Sequence, residues 1–383
     1  MPKQAIIEPS IEAINIIDTP IPTPGNREVV IRVVVAGTNP KDWKYPLWTN
    51  WAHNSGDDMA GFVHSVGADV YEFNPGDRVA AYHESGKQHG TFAEYAVAPD
   101  WTTFHIPEKL SFEEAATVPT AALTAAVALY ADMRLPPPYE GGDGNTVQRN
   151  KVPLLIYGIS SAVGAFAAKL ARLSGLGPII GIAGRATEFA NSLADHVVDY
   201  RQGEDGVVFA IEAILAKEGL ATKMPYVFDA ISENGSLETT LRLIDPDGGV
   251  VSTVLPPKLF ARDRDNYAYP DGVKGINSAV PTVHSTDKDF GYLWSRYLGR
   301  LLEDGRLRGH PYEVMPGGLS GVLTALQKLK NGEASAVKYV CRIDETQDLL
   351  RSNVLVGKQV SGAEDRPQSH TSSHALRDFP FPS

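Results

Sequence analysis

Between residues 152 and 254 the chain alternates short apolar runs with helix-patterned stretches, and this alternation restricts the fold more than any other feature. The runs are Val152–Tyr157, Pro178–Ala183, Val197–Asp199, Tyr226–Asp229 and Gly249–Val254. Strands buried on both faces read as continuous apolar segments, and parallel neighbours need a crossover, usually a helix. The spacing predicts an α/β unit with a doubly wound parallel sheet.

The first of these strands leads into the strongest piece of chemistry in the chain. Leu154-Leu155-Ile156-Tyr157 runs into Gly158-Ile159-Ser160-Ser161-Ala162-Val163-Gly164, followed by an alanine-rich helical stretch. A tight turn of this kind aims unpaired helix N-terminal amides at a pyrophosphate, with the helix dipole assisting. Ser161 and Ala162 stand where the usual dinucleotide fingerprint has glycines. Small side chains still permit close approach, and serine hydroxyls donate to phosphate. A plain strand–turn–helix without a ligand remains the competing reading. About 20 residues on, where an NAD-binding site offers Asp or Glu to the ribose hydroxyls, stands Gly181-Ile182-Ala183-Gly184-Arg185. No acid stands at that tip. A guanidinium fork suits a 2′-phosphate, so Gly184 and Arg185 point to NADPH rather than NADH; the alternative for Arg185 is a solvated surface charge.

On either side of this Rossmann-type unit the pattern changes. Residues 1–110 read as short β-segments broken by Gly and Pro, with a run of β-branched residues from Glu28 to Val35. Residues 112–130 are alanine-rich and helix-prone, and the breakers Pro136-Pro137-Pro138 and Gly141-Gly142 suit a surface connection. After a polar segment over about 256–289, the residues Phe290, Leu293, Trp294, Tyr297, Leu298, Leu301 and Leu302 recur at helical spacing and predict a core-facing stripe. A second helix uses Leu319, Val322, Leu323 and Leu326, and Val337, Tyr339, Cys341 and Ile343 alternate as a closing strand. Residues 346–383 are polar and read as a disordered tail.

Composition narrows the function class. Lys and Arg total 35 against 46 Asp and Glu, a formal charge of −11, which argues against a nucleic-acid partner. The single cysteine, Cys341, permits neither an intrachain disulfide nor a multi-cysteine zinc site, and in its strand it reads as a buried structural thiol. The N-terminus lacks the pattern of a signal peptide, and no apolar run reaches the ~20 residues of a membrane span. These features point to the cytoplasm.

Several landmarks stand in a fixed order: Gly37-Thr38-Asn39-Pro40-Lys41-Asp42-Trp43-Lys44, Gly56-Asp57-Asp58-Met59-Ala60-Gly61, Ser65-Val66-Gly67, Gly76-Asp77-Arg78-Val79, Gly90-Thr91-Phe92-Ala93-Glu94-Tyr95, Leu123-Thr124-Ala125 and the Gly158 turn. Together they resemble the medium-chain dehydrogenase/reductase superfamily over nearly all of residues 1–345. The resemblance implies a GroES-like catalytic domain over 1–126 and 276–345 and a Rossmann domain over 127–275. The zinc-dependent branch has Cys where Asn39 stands, His-Glu where Asp57-Asp58 stand, and a four-cysteine lobe. This chain is similar instead to the zinc-independent, quinone-oxidoreductase-like branch, and within it to fungal trans-acting enoyl reductases of polyketide synthesis. Phe228-Asp229-Ala230-Ile231-Ser232, Gly317-Gly318-Leu319 and Ala334-Ser335-Ala336-Val337-Lys338-Tyr339-Val340 carry that closer likeness. Ala162, Glu188 and the tail depart from it.

The resemblance implies an NADPH-dependent reductase of activated carbon–carbon double bonds, with no bound metal. Its cofactor residues would be Gly158, Ser160, Ser161, Ala162, Val163, Gly164, Gly184, Arg185 and Tyr200, the last beside the adenosine phosphate. Asn39, Lys44 and Thr124 would line the nicotinamide cleft, with Lys44 stabilising an enolate and Thr124 orienting the carboxamide or substrate. Each also has a plain reading: a turn at Asn39, a solvated Lys44, local packing at Thr124. Three functions remain open. The protein is an enoyl reductase on carrier-bound intermediates with a polyketide synthase partner, a stand-alone quinone or enone reductase on free small molecules, or a non-redox scaffold or isomerase on the same fold. The sequence leaves monomer and homodimer equally open.

Overall fold

The computed structural model describes residues 1–141 and 152–347. The tail beyond residue 347 and the Gly142 end of the connection lie outside these residues. Seven strands come first: β1 (Lys3–Ile7), β2 (Ile14–Asp18), β3 (Glu28–Gly37), β4 (Asp58–Val66), β5 (Arg78–Tyr82), β6 (Tyr95–Pro99) and β7 (Thr103–His105). Six follow the connection: β8 (Leu154–Tyr157), β9 (Ile179–Ala183), β10 (His196–Asp199), β11 (Tyr226–Asp229), β12 (Val250–Thr253) and β13 (Lys274–Asn277). The described chain closes with β14 (Tyr312–Met315) and β15 (Lys338–Arg342).

The middle six form one parallel sheet in the order β10-β9-β8-β11-β12-β13, as the alternation predicted. Strand order reverses between β8 and β11, and in open parallel sheets ligands bind at that crevice, beyond the carboxyl ends of the strands. One strand more is present than the five expected. β13 lies in the segment read as polar, because its Lys-Gly-Ile-Asn sequence is half exposed at the sheet edge. It carries the parallel sheet to Asn277, just past the 275 boundary.

The other large sheet runs β14-β15-β3-β4-β5-β7, with β6 also on β3. The C-terminal strands thus return to the N-terminal sheet: Val340, Cys341 and Arg342 pair with Gly37, Ala36 and Val35. Cys341 is fully buried, and burial pushes its thiol up to about 12, the inert behaviour its place in the strand predicted.

Phe112–Asp132 joins the two halves. Contrary to the sequence expectation, this 21-residue stretch is long and apolar enough to cross a membrane, but 89% of its most apolar window is buried inside the fold. Nor is it one helix. Pro119, lacking an amide hydrogen, starts a new helix, Pro119–Ala126, after the short Phe112–Ala115, and a π-helical turn, Val127–Asp132, follows. The alanines of Pro119–Ala126 pack against those of helix Ala162–Leu173, with Phe166, Trp294 and Leu298 in the same core. Helix Lys288–Glu303 buries Trp294, Leu298, Leu301 and Leu302, but Leu293 is 61% exposed. It sits one residue, about 100°, around the helix from Trp294 and falls off the edge of the stripe.

Two buried histidines make the fold acid-sensitive. His284, its ring tilted by 40° against that of Tyr82, and His310 have no partner for either ring nitrogen among the described residues. Burial first, then His83 and Lys288 for His284 and Lys169 and Lys338 for His310, pushes each down to about 3. Their neutral forms therefore stabilise the protein above pH ~6.5, and that stability is lost as pH falls toward ~3, by about 1.4 kcal/mol per pH unit per histidine. Denaturation from pH 7 to 4 should show this slope, and His284→Phe or His310→Phe should remove one histidine's share. Slopes identical to wild type in both variants would contradict it.

Candidate functional site

At the carboxyl end of β8 the backbone turns through Gly158 at φ +76°, a conformation that favours glycine, and a Cβ there would collide with Ile231. Ser161 caps helix Ala162–Leu173, its hydroxyl accepting the Gly164 amide at 3.0 Å. The amides of Ala162 and Val163 have no partner among the described residues. The turn thus presents free donors at a helix N-terminus, and Ser160 lies half-buried beside them. These residues fit a dinucleotide pyrophosphate.

Gly184 and Tyr200 meet next to this turn, at the ends of β9 and β10. A Cβ on Gly184 would stand 2.5 Å from the Tyr200 ring, so the glycine is what lets the half-exposed ring lie there. Arg185 is exposed and leaves the parallel sheet altogether: its Nη2 donates to the Gly332 carbonyl at 2.6 Å, beyond helix Leu319–Lys330.

The loop after β11 completes this wall. Asp229 is buried and its carboxylate accepts the amides of Ile231 (3.0 Å) and Ser232 (2.8 Å) and the Ser236 hydroxyl (2.6 Å). Burial raises its carboxyl to about 6 against those hydrogen bonds, which pull it down. Ser232 and Asn234 are held at φ +58° and +57°, and Gly235 at +92°. This left-handed run sets Glu233 at the loop tip.

Lys44 reaches Glu233 from the opposite wall. It projects from helix Pro40–Thr49, whose start is fixed by the Asp42 carboxylate accepting the Asn39 amide at 2.8 Å. Its Nζ donates to both Glu233 oxygens, at 3.0 and 2.9 Å, and lies 5.5 Å from the Trp43 ring centre and 5.4 Å from that of Phe260. The Lys44 side chain is only 7% exposed. The sequence carried no signal for Glu233; its role depends on a loop conformation that no periodicity encodes.

Asn39 and Thr124 are buried to the same degree as Lys44. Asn39 Nδ2 donates to Asp58 at 2.8 Å while its Oδ1 accepts from Lys338 Nζ at 3.0 Å. Lys338 is ion-paired with the same Asp58 carboxylate, both buried, and the Thr120 amide donates to it at 2.7 Å. Thr124, one turn along, donates its hydroxyl to the Thr120 carbonyl at 2.7 Å. Asp57 pairs with Lys41 at 2.5 Å and accepts from Ser85. Both carboxylates at the position of the zinc branch's His-Glu pair therefore already hold a lysine ammonium. No group of three metal-ligating side chains occurs among the described residues.

Lys338→Met would leave Asp58 charged and buried without its cation, at a cost of about 3–5 kcal/mol. Denaturant unfolding should show that loss, and adding Asp58→Asn should recover most of it. A Lys338→Met protein within about 1 kcal/mol of wild type would remove this pair as a structural constraint.

Residues 25–108 match the alcohol dehydrogenase GroES-like domain. The chain is 41% identical over 326 residues to the trans-enoyl reductase fsr4 of Gibberella fujikuroi, covering 83% of this chain and 92% of that one. It is 31% identical over 344 residues to the trans-enoyl reductase resD of Aspergillus sclerotiorum, covering 85% and 96%. Among solved structures, CurK enoyl reductase superposes with a TM-score of 0.71 at 20% identity, covering 89% of this chain and 99% of that one. A quinone oxidoreductase from Coxiella burnetii gives 0.65 at 23%, with the same coverage. A parallel sheet of this order and a relative of 41% identity over most of both chains lead to one assignment: the chain belongs to the trans-enoyl reductases, nicotinamide-dependent oxidoreductases of the medium-chain dehydrogenase/reductase superfamily.

Proposed function

We propose that the protein is an NADPH-dependent enoyl reductase acting in trans on α,β-unsaturated thioesters carried by a fungal polyketide synthase. The observation that carries this reading is Lys44. Its ammonium, held by the β-rich half, meets the loop whose Ile231 packs on Gly158 of the dinucleotide turn. A cation is thereby available where a nucleotide and a carbonyl substrate would share one cleft. In this reading residues 1–126 and 276–345 form the substrate wall and 127–275 the cofactor wall.

When bound, a reduced nicotinamide supplies a hydride to the β-carbon. The double-bond electrons then move to the thioester oxygen, and Lys44 stabilises that charge, as preorganised donors do at developing oxyanions. Glu233 must yield part of the ammonium for this, since both of its oxygens accept from Nζ in the free protein. The enolate collapses as the α-carbon takes a proton from solvent. Thr124 has committed its hydroxyl hydrogen to Thr120, so it offers a lone pair, which suits accepting from a carboxamide N–H. Asn39, engaged at both ends of its amide, acts by fixing the helix that carries Lys44.

The end of β9 supports NADPH. Ala183-Gly184-Arg185 offers no carboxylate to repel a 2′-phosphate, and the Arg185 fork has only a neutral carbonyl to leave. Titration should show NADPH binding at least about tenfold tighter than NADH, with Arg185→Ala losing most of the preference, since a charge-assisted bond is worth about 1.5–3 kcal/mol. Equal affinities would contradict the assignment.

Lys44→Met should lower single-turnover reduction of a carrier-bound enoyl thioester by roughly 10²–10³ in a folded protein. An unchanged rate would remove Lys44 from the reaction. Free quinones and enones in the same assay decide the alternative of a stand-alone quinone reductase: turnover with these alone would favour it.

A further inference from the structure

We infer that Trp48 and Phe260 are the specificity-determining wall for the acyl chain of the substrate; the inference rests on the enoyl reductase reading above and names the part of the thioester that this end of the cleft takes. The two rings come from opposite halves of the molecule. Trp48 stands one helical turn after Lys44 on helix Pro40–Thr49, and Phe260 closes the short helix Pro257–Phe260 after β12. Their ring centres are 5.7 Å apart and tilted by 56°, so the pair spans the gap between the halves.

Phe260 is held from its own side. The next residue but one, Arg262, donates its amide to Glu238 at 2.7 Å, and its guanidinium lies 3.3 Å from Glu204. The backbone just after Phe260 is therefore tied to the cofactor half.

Lys44 decides what passes this pair. Its Nζ lies 5.4 Å from the Phe260 ring centre. A carbonyl oxygen within hydrogen-bond reach of that ammonium, about 3 Å, brings its acyl group against the Phe260–Trp48 rings. Two half-buried aromatic faces gain from every methylene laid on them. Apolar surface continues outward on both sides. Leu47 and Trp51, flanking Trp48, are each 45% exposed, and Leu259, beside Phe260, is 42% exposed. Isolated exposed apolar residues are ordinary, but here they extend a fixed ring pair beside the proposed reactive cation. The occupant this arrangement fits is an extended aliphatic chain, not a compact quinone.

The test uses the full-length protein with NADPH and trans-2-enoyl pantetheine thioesters of four, eight and twelve carbons. Wild type should show kcat/KM rising with chain length. Phe260→Ala should lose about tenfold or more with the twelve-carbon thioester and less than about twofold with the four-carbon one, while the NADPH dissociation constant stays within about twofold. Trp48→Leu and the milder Phe260→Leu should flatten the dependence in the same direction, which keeps the test open if the alanine variant does not fold. A chain-length profile unchanged in the folded variants overturns this wall alone. Wild type that reduces none of the three thioesters overturns the enoyl reductase reading and this inference with it.

Discussion

The buried ion pair between Lys338 and Asp58 is the interaction from which the site is built. It joins β15, near the end of the described chain, to the first residue of β4, and draws in the Asn39 amide and the Thr120 backbone. Through Asn39 it sets the start of the helix that throws Lys44 across the cleft. Through Thr120 it sets the helix that carries Thr124 and packs, alanine on alanine, against the helix that follows the Gly158 turn. Burying a charge pair rarely adds much net stability, since desolvation offsets most of the attraction. Its effect here is geometric: the Asp58 carboxylate accepts from Asn39, Lys338 and the Thr120 amide at once, so four distant segments share one register.

The second theme is that the two halves touch through polar and aromatic ties at the cleft itself. Lys44 meets Glu233, Arg185 meets the Gly332 carbonyl, and Trp48 meets Phe260. In the proposed reading each tie uses a residue that would have another use in the bound enzyme: a cation for the substrate oxygen, a fork for a 2′-phosphate, a ring pair for an acyl chain. Ligand contacts would thus replace existing ones rather than solvate new surface. Part of the binding energy is then spent on exchange, which couples assembly of the site to arrival of cofactor and substrate.

Much of this was readable in the sequence because it rests on local rules. Apolar runs at crossover spacing gave five of the six parallel strands, and the Gly158 turn and the missing acid after β9 are properties of a few adjacent residues. What escaped detection depended on distant partners. β13 has no apolar run because it is a half-exposed edge, and Leu293 matched the helical spacing yet fell at the margin of the stripe. Residues 112–130 read as helix-prone from their alanines, and they are helical, but Pro119 restarts the helix within them. Lys338 stood inside a resemblance motif, but only the fold brings its ammonium to Asp58. Glu233 gave no signal, because its position follows from left-handed backbone at Ser232 and Asn234 that non-glycine residues seldom adopt.

The central claim is a net transfer of hydride from nicotinamide to the β-carbon of an enoyl thioester, at a cleft formed by both halves. Mass spectrometry and NMR of the product made from NADPH deuterated at C4 test it most directly, with each face of the ring labelled in turn. The account predicts one deuterium at the β-carbon from a single labelled face, and a solvent-derived proton at the α-carbon. Product lacking deuterium with either label, or deuterium at the α-carbon, would contradict it.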